Sequence, residues 1–194
     1  MPALHLNIGK LAGKEVIRAC AKRLRMLAKQ DGKQIVKFEH ELEMDAFQDY
    51  LIYMHRPRGL SLARQMLNRN RYPQGSDERR LLAEMVQARF SIFWIKELIP
   101  AGGFIALDII SGKEFFILDP SLPQQDIAGI LAGIRIFPHQ NVWMHTGATL
   151  ALGQIENPTG LQPLGKHLEE QQERALNEDA ISRWRGILKE TKAR

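Results

Sequence analysis

Histidine titrates near neutrality and is the commonest metal ligand, so the six histidines are the first candidates for chemistry. They are His5, His40, His55, His139, His145 and His167. None forms an H-x-H or H-x₃-H pair. His139 and His145 could reach one ion with Asp108 only if the chain turned back at Pro138–Asn141, and polar residues at a hairpin edge are the plainer reading. The single cysteine, Cys20, falls on the apolar stripe of a helical pattern, where a thiol is buried and inert. No serine stands in a G-x-S-x-G turn. Gly9 and Gly13 flank Lys10 and Lys14 without the spacing of a phosphate loop. Asp108 and Asp119 bracket a hairpin pattern. With His145 they offer a constellation for a metal-dependent enzyme, but aspartates at strand ends are ordinary turn residues. No residue is assigned as catalytic or metal-binding, and no cofactor is expected.

Cations offer the stronger lead. The 194 residues carry a net charge of +5, unevenly placed. Residues 1–37 hold nine Lys/Arg against two acids, residues 38–50 five acids and no Lys/Arg, and residues 51–80 seven Arg against two acids. Lys14, Arg18, Lys22, Arg25 and Lys29 recur at helical spacing on one face. Arg56, Arg58, Arg64, Arg69 and Arg71 follow, with Tyr72 beside the last. Arginine's planar fork suits phosphates and base edges, and tyrosine can stack on a base. The counter-reading is internal neutralisation, with Glu41, Asp45 and Asp49 facing the same arginines.

These residues need elements to position them. Residues 1–9 are ambiguous between an arm and other structure. Lys14 to Gln30 reads as a helix, stopped by Asp31-Gly32. Glu39 to Met54 reads as a second helix, Ser61 to Asn70 as a third and Ser76 to Arg89 as a fourth, each of the last two with a serine cap. The pattern then turns aromatic and β-branched. Strands are expected over Ser91–Leu98, Phe104–Ile110, Lys113–Leu118, Ile130–Phe137, Val142–His145 and Ala148–Leu152. After a Pro/Gly linker, Lys166 to Lys192 reads as a charged helix. Its Trp184, Ile187 and Leu188 could anchor a protein partner or a second copy, although docking on its own domain is the simpler reading.

The fold expectation is α+β: N-terminal helices, a small curved antiparallel sheet or barrel of five to six strands, and a charged C-terminal helix. The domain expectation is 1–90, 91–153 and 154–194, with the helices of 39–89 sharing one core with the sheet. The longest apolar run, Ile127 to Ile134, is too short to span a bilayer. Residues 1–37 lack Ser, Thr and a cleavage pattern, so they read as mature chain. A cytoplasmic protein without membrane contact is expected.

One resemblance adds to this. Over residues 40–152, SIFWIKELIPAGGFIALDIISGKEFFILD and GILAGIRIFPHQNVWMHTGATLALG combine a Leu-Asp before a hairpin, Gly-Lys-Glu at it, a small-Gly-x-Arg strand and a Trp-Met-x-x-Gly ending. This resembles the compact β domain of uncharacterised bacterial proteins that often carry a SEC-C zinc motif. The resemblance implies a bacterial origin and the fold, with no activity or residue roles. The zinc motif needs several cysteines, and Cys20 alone cannot supply it. The leading expectation is a non-enzymatic protein binding RNA or DNA through its basic helical surface. The alternatives are a protein–protein adaptor, or self-association, through the β domain or the last helix.

Overall fold

In the computed structural model, residues 1–120, 127–158, 160 and 162–192 are described, without the side chain of Arg58. The chain divides into two units, Met1–Gln87 and Ala88–Arg194.

In the first unit, residues 1–9 are helical. Pro2, whose fixed φ suits a first helical turn, opens α1 (Pro2–Gly9). The next helix, α2 (Lys14–Arg23), is shorter than its periodicity suggests. Leu24 caps it, and Arg25 takes φ 55. Asp31 and Gly32 have φ values of 50 and 74. Two positive φ values make a type I′ turn, the two-residue connection that matches strand twist. That turn folds β1 (Leu27–Gln30) against β2 (Lys33–Val36), with Lys29 opposite Gln34 and Gln30 opposite Lys33. Asp31-Gly32 therefore joins two strands and does not end a helix.

Helix α3 (Leu42–Tyr53) follows, then one 3-10 turn (Pro57–Gly59), α4 (Leu62–Asn68) and α5 (Asp77–Met85). The serine caps form as expected. Ser61 Oγ accepts from the Arg64 amide and Ser76 Oγ from the Arg79 amide, both at 3.2 Å. Tyr50, Ile52, Met54, Leu62, Met66, Leu82 and Met85 are buried, and the Phe38 and Phe47 rings meet edge to face.

The second unit begins with β3 (Arg89–Ile99), so Arg89 is a strand residue although it continues the helical spacing of Leu82 and Met85. Then come β4 (Gly103–Asp108), β5 (Glu114–Leu118), β6 (Ile130–His139) and β7 (Val142–Gln154). The sheet closes on itself in the order β3-β4-β5-β7-β6. β7 is one strand of 13 residues and not two, and its pairing with β6 shifts register between Ile134 and Ile136. The sheet is mixed where an antiparallel one was expected. β5 runs parallel to β7 through Ile117–Trp143 and Leu118–Met144. The connection between these parallel neighbours, residues 119–141, runs through β6 and exceeds the roughly dozen residues that a parallel crossover requires.

Phe93, Ile95, Phe104, Ala106, Phe115, Ile117, Ala132, Ile134 and Ile136 fill the interior of the closed sheet. Burying each large side chain contributes roughly 1.5–3 kcal/mol. Gly103 admits no side chain. A Cβ there would lie 2.0 Å from the Ile117 carbonyl oxygen. Helix α6 (Glu170–Lys192) packs on β3 and β7. Its inner face is polar at one end (Glu173, Asn177) and apolar at the other (Ala180, Ile181, Trp184).

Candidate functional site

The cations of the first unit are mostly at the surface. Lys14, Arg18 and Lys22 stand one turn apart and exposed on α2, and Lys29 is exposed on β1. Lys29 is thus not part of a helical stripe: the helix ends before Arg25, and the hairpin carries the chain on. Arg64 on α4, Arg69 at its end and Arg71 beyond it are exposed too. Among the described residues, no ion pair involves Lys14, Lys22, Lys29, Arg64, Arg69 or Arg71. Arg18 pairs with Glu15 at 3.1 Å. Arg25 and Arg56 have partners within the chain, and Arg56 is half-buried. Tyr72 is half-buried, and its hydroxyl accepts from Asn7 Nδ2 at 3.2 Å. The Arg58 side chain lies outside the described residues.

Of the acids expected to neutralise this surface, Glu41 and Asp45 are exposed and only Asp49 is withdrawn. Glu43 and Asp49 are buried on α3, and Glu43 accepts from the Glu39 amide at 2.9 Å. That bond satisfies a backbone donor at the helix start, where a carboxylate also suits the macrodipole. His5 of α1 shares a 2.8 Å hydrogen bond with the Tyr53 hydroxyl of α3. Burial holds its pKa below 6.5, opposed by the Asp49 charge and helped by the N-terminal ammonium. The first unit carries sixteen Lys/Arg against ten Asp/Glu, a net +6. The second carries eleven against twelve, a net −1.

The second unit holds a charge network that sequence reasoning missed. Asp108 ends β4 almost wholly buried and gathers five donors: Ser91 Oγ at 2.6 Å, Ser111 Oγ at 2.7 Å, the amides of Ile110 and Ser111, and Arg89 Nη1 at 3.4 Å. Arg89 lies against the Phe115 and Trp143 rings, 4.8 and 5.4 Å from their centroids. Burial lowers its pKa, and Asp108 and Glu173 oppose that. Its Nη1 also contacts His167 Nδ1. Arg135, 1% exposed at the centre of β6, donates to Glu173 and to Asn177 of α6, both at 2.8 Å. A lone arginine inside the apolar run of β6 was the available signal. Glu173 and Asn177, one turn apart on a later helix, were its complement.

The other chemistry candidates stay apart. His145 receives the Gly147 amide at Nδ1, which places its proton on Nε2, donated to Asp119 at 2.8 Å. Both ring nitrogens are occupied, so the pair ties β7 to the end of β5. Asp108 bonds to a different set of groups. Among the described residues, no group of three His, Cys, Asp or Glu could hold a metal ion. Cys20 is buried. Trp184 is 3% exposed within the packed face of α6, whereas Ile187 is exposed and Leu188 half-buried. No helix among the described residues is long and apolar enough to cross a membrane.

The chain belongs to a family of unknown function, DUF7986, whose model matches residues 3–179 and so runs through both units. Among curated proteins and among solved structures, no match to the chain is found.

Proposed function

We propose that the protein is a non-enzymatic nucleic-acid-binding protein whose first unit supplies the phosphate contacts. The observation that carries this reading is the set of exposed cations without ion pairs among the described residues, on a unit that buries two of its own acids. Lys14, Arg18 and Lys22 would track phosphates along α2, with Lys29 on the hairpin. Arg64, Arg69 and Arg71 would form a second cluster around the end of α4. Arg25, Arg56 and Tyr72, engaged within the chain, rank below these.

A fold-level analogy adds weight without proving a site. Read as a barrel, the order β3-β4-β5-β7-β6 with its parallel β5/β7 contact is that of the OB-fold, an architecture that often serves oligonucleotide binding.

The test is titration of single-stranded RNA, single-stranded DNA and duplex DNA by fluorescence anisotropy at two salt concentrations. Each phosphate neutralised adds roughly 0.7 (single strand) to 0.9 (duplex) to the slope of log K against log salt. Reversing Lys14 and Lys22 to Glu should lower that slope by at least about 1.4 and weaken all sequences alike, with the unfolding curve unchanged. Absence of binding to all three at low salt refutes the reading. Unaltered affinity in the double variant removes α2 from the contact surface.

A further inference from the structure

The chain between β7 and α6 has no regular structure over residues 162–169, yet it is fastened to the closed sheet. The Leu164 amide donates to the Ile110 carbonyl at 2.8 Å. Pro163 lies against Gly112, where an added Cβ would come within 3.1 Å of it. His167 and Leu168 roof a cavity of about 20 Å³, with Arg89, Ser91, Asp108 and Glu173 among its other walls. That volume admits about one water molecule. Beneath the roof, Arg89 Nη2 is buried with no hydrogen-bond partner among the described residues.

The His167–Arg89 contact has a chemical condition. A guanidinium only donates, so His167 Nδ1 must be bare, with the ring proton on Nε2. A second proton would set donor against donor and cation against cation. Arg89 from β3 and Lys113 from the turn before β5 both disfavour that proton. Asp108 favours it, but its oxygens are committed to Ser91, Ser111 and the backbone. Glu173 from α6 lines the cavity, with Oε1 taken by Arg135 and the Phe90 amide. Desolvation is the main cause, and the two cations add to it in holding the His167 pKa below 6.5. α6 does not depend on this contact. It is anchored through Arg135 and through Ala180, Ile181 and Trp184.

We infer that residues 162–169 are an acid-released strap: protonation of His167 breaks its hold on Arg89, the strap leaves the Ile110–Gly112 turn, and the Arg89 guanidinium beneath it is uncovered. The anchored α6 stays in place.

The test is two-dimensional NMR of the full chain from about pH 8 to about pH 5, a range that brackets the ordinary histidine pKa. The Leu164 amide should move with the His167 ring, at a midpoint below 6.5, while the Phe90 amide keeps its position. His167→Gln keeps an acceptor for Arg89 and cannot titrate, so its Leu164 amide should hold the neutral-pH position throughout. His167→Lys cannot accept, so its Leu164 amide should sit at the acid position even near pH 8. A Leu164 amide indifferent to pH in the natural chain overturns the inference. So does an unchanged titration in His167→Gln, or a natural position in His167→Lys.

Discussion

Replacing Arg135 with methionine isolates the contribution of the buried network that joins β6 to α6. The substitution keeps an unbranched side chain of similar reach and removes the charge and both donors. Three terms set the outcome. Breaking a buried ion pair by removing one partner costs about 3–5 kcal/mol. Here Glu173 is 15% exposed and keeps the Phe90 amide at 2.7 Å, which places its share at the low end. Asn177 Oδ1 loses its bond to Arg135 in a residue 2% exposed, at about 1–3 kcal/mol. The apolar methionine returns roughly 1–2 kcal/mol. The expected net loss is therefore about 3 kcal/mol. All three tryptophans, Trp94, Trp143 and Trp184, lie in the second unit, and all three tyrosines, Tyr50, Tyr53 and Tyr72, lie in the first. Urea unfolding followed by tryptophan fluorescence therefore reports the loss where it occurs, and the tyrosine signal of the first unit is the internal control. In the double variant with Glu173→Gln, the uncompensated carboxylate is gone, so the two losses should fall short of additive by about 0.5–3 kcal/mol. A tryptophan-reported loss under about 1 kcal/mol, or strict additivity in the double variant, refutes the reasoning.

The first unit should lose stability as pH falls. Burial lowers the His5 pKa in the folded state, so the unfolded chain binds the proton more readily. The stabilisation is full above about pH 6.5 and is lost as pH falls from there through the folded pKa. Tyrosine-detected unfolding should show this slope, and His5→Gln should flatten it. Gly103→Ala should destabilise the closed sheet by more than about 3 kcal/mol, because its Cβ meets the Ile117 carbonyl at 2.0 Å. Gly186→Ala on the exposed side of α6 meets nothing within 4 Å and should stabilise by about 0.5–1 kcal/mol; thermal unfolding compares the two. His145→Ala should cost about 0.5–1.5 kcal/mol in tryptophan-detected unfolding, since it removes the part-buried bond to Asp119.

What was legible in the sequence was local. Ser61 and Ser76 announced their helices because a capping hydroxyl acts within three residues. The aromatic and β-branched composition of β3, β4 and β5 was equally direct, since such side chains fill the sheet interior. Residues 24–30 misled because Leu24, Leu27 and Ala28 satisfy helical spacing as well as a helix end followed by a strand. The Asp31-Gly32 turn, at home in a hairpin, settles the choice. Arg89 misled for the same reason at the boundary of α5 and β3. The buried network was not legible, because its parts lie far apart in sequence. Arg135 and Asn177 are 42 positions apart, and Ser91 and Asp108 are 17. Only closure of the sheet and docking of α6 bring such pairs together.

The burial of Glu43 and Asp49 bears on function as well as on α3. Acids 39–49 stood in the sequence as the natural counter-charge to the arginines at 56–71. Glu43 accepts from its own helix start and lies inside the unit, farther from solvent than the surface cations. Asp49, buried beside His5, likewise acts inside the unit. The formal +6 of the first unit already counts both carboxylates, and the polyanion reading depends on the cations lying at the surface while these two acids lie inside. Glu43→Gln tests it directly. The variant removes a charge that lies inside, so it should raise affinity for RNA only slightly, within about threefold, whereas Lys14→Glu at the surface should lower affinity several-fold, about the effect of one phosphate contact. Equal and opposite effects from the two changes would mean that Glu43 acts on the surface field after all, and the argument from burial would fail.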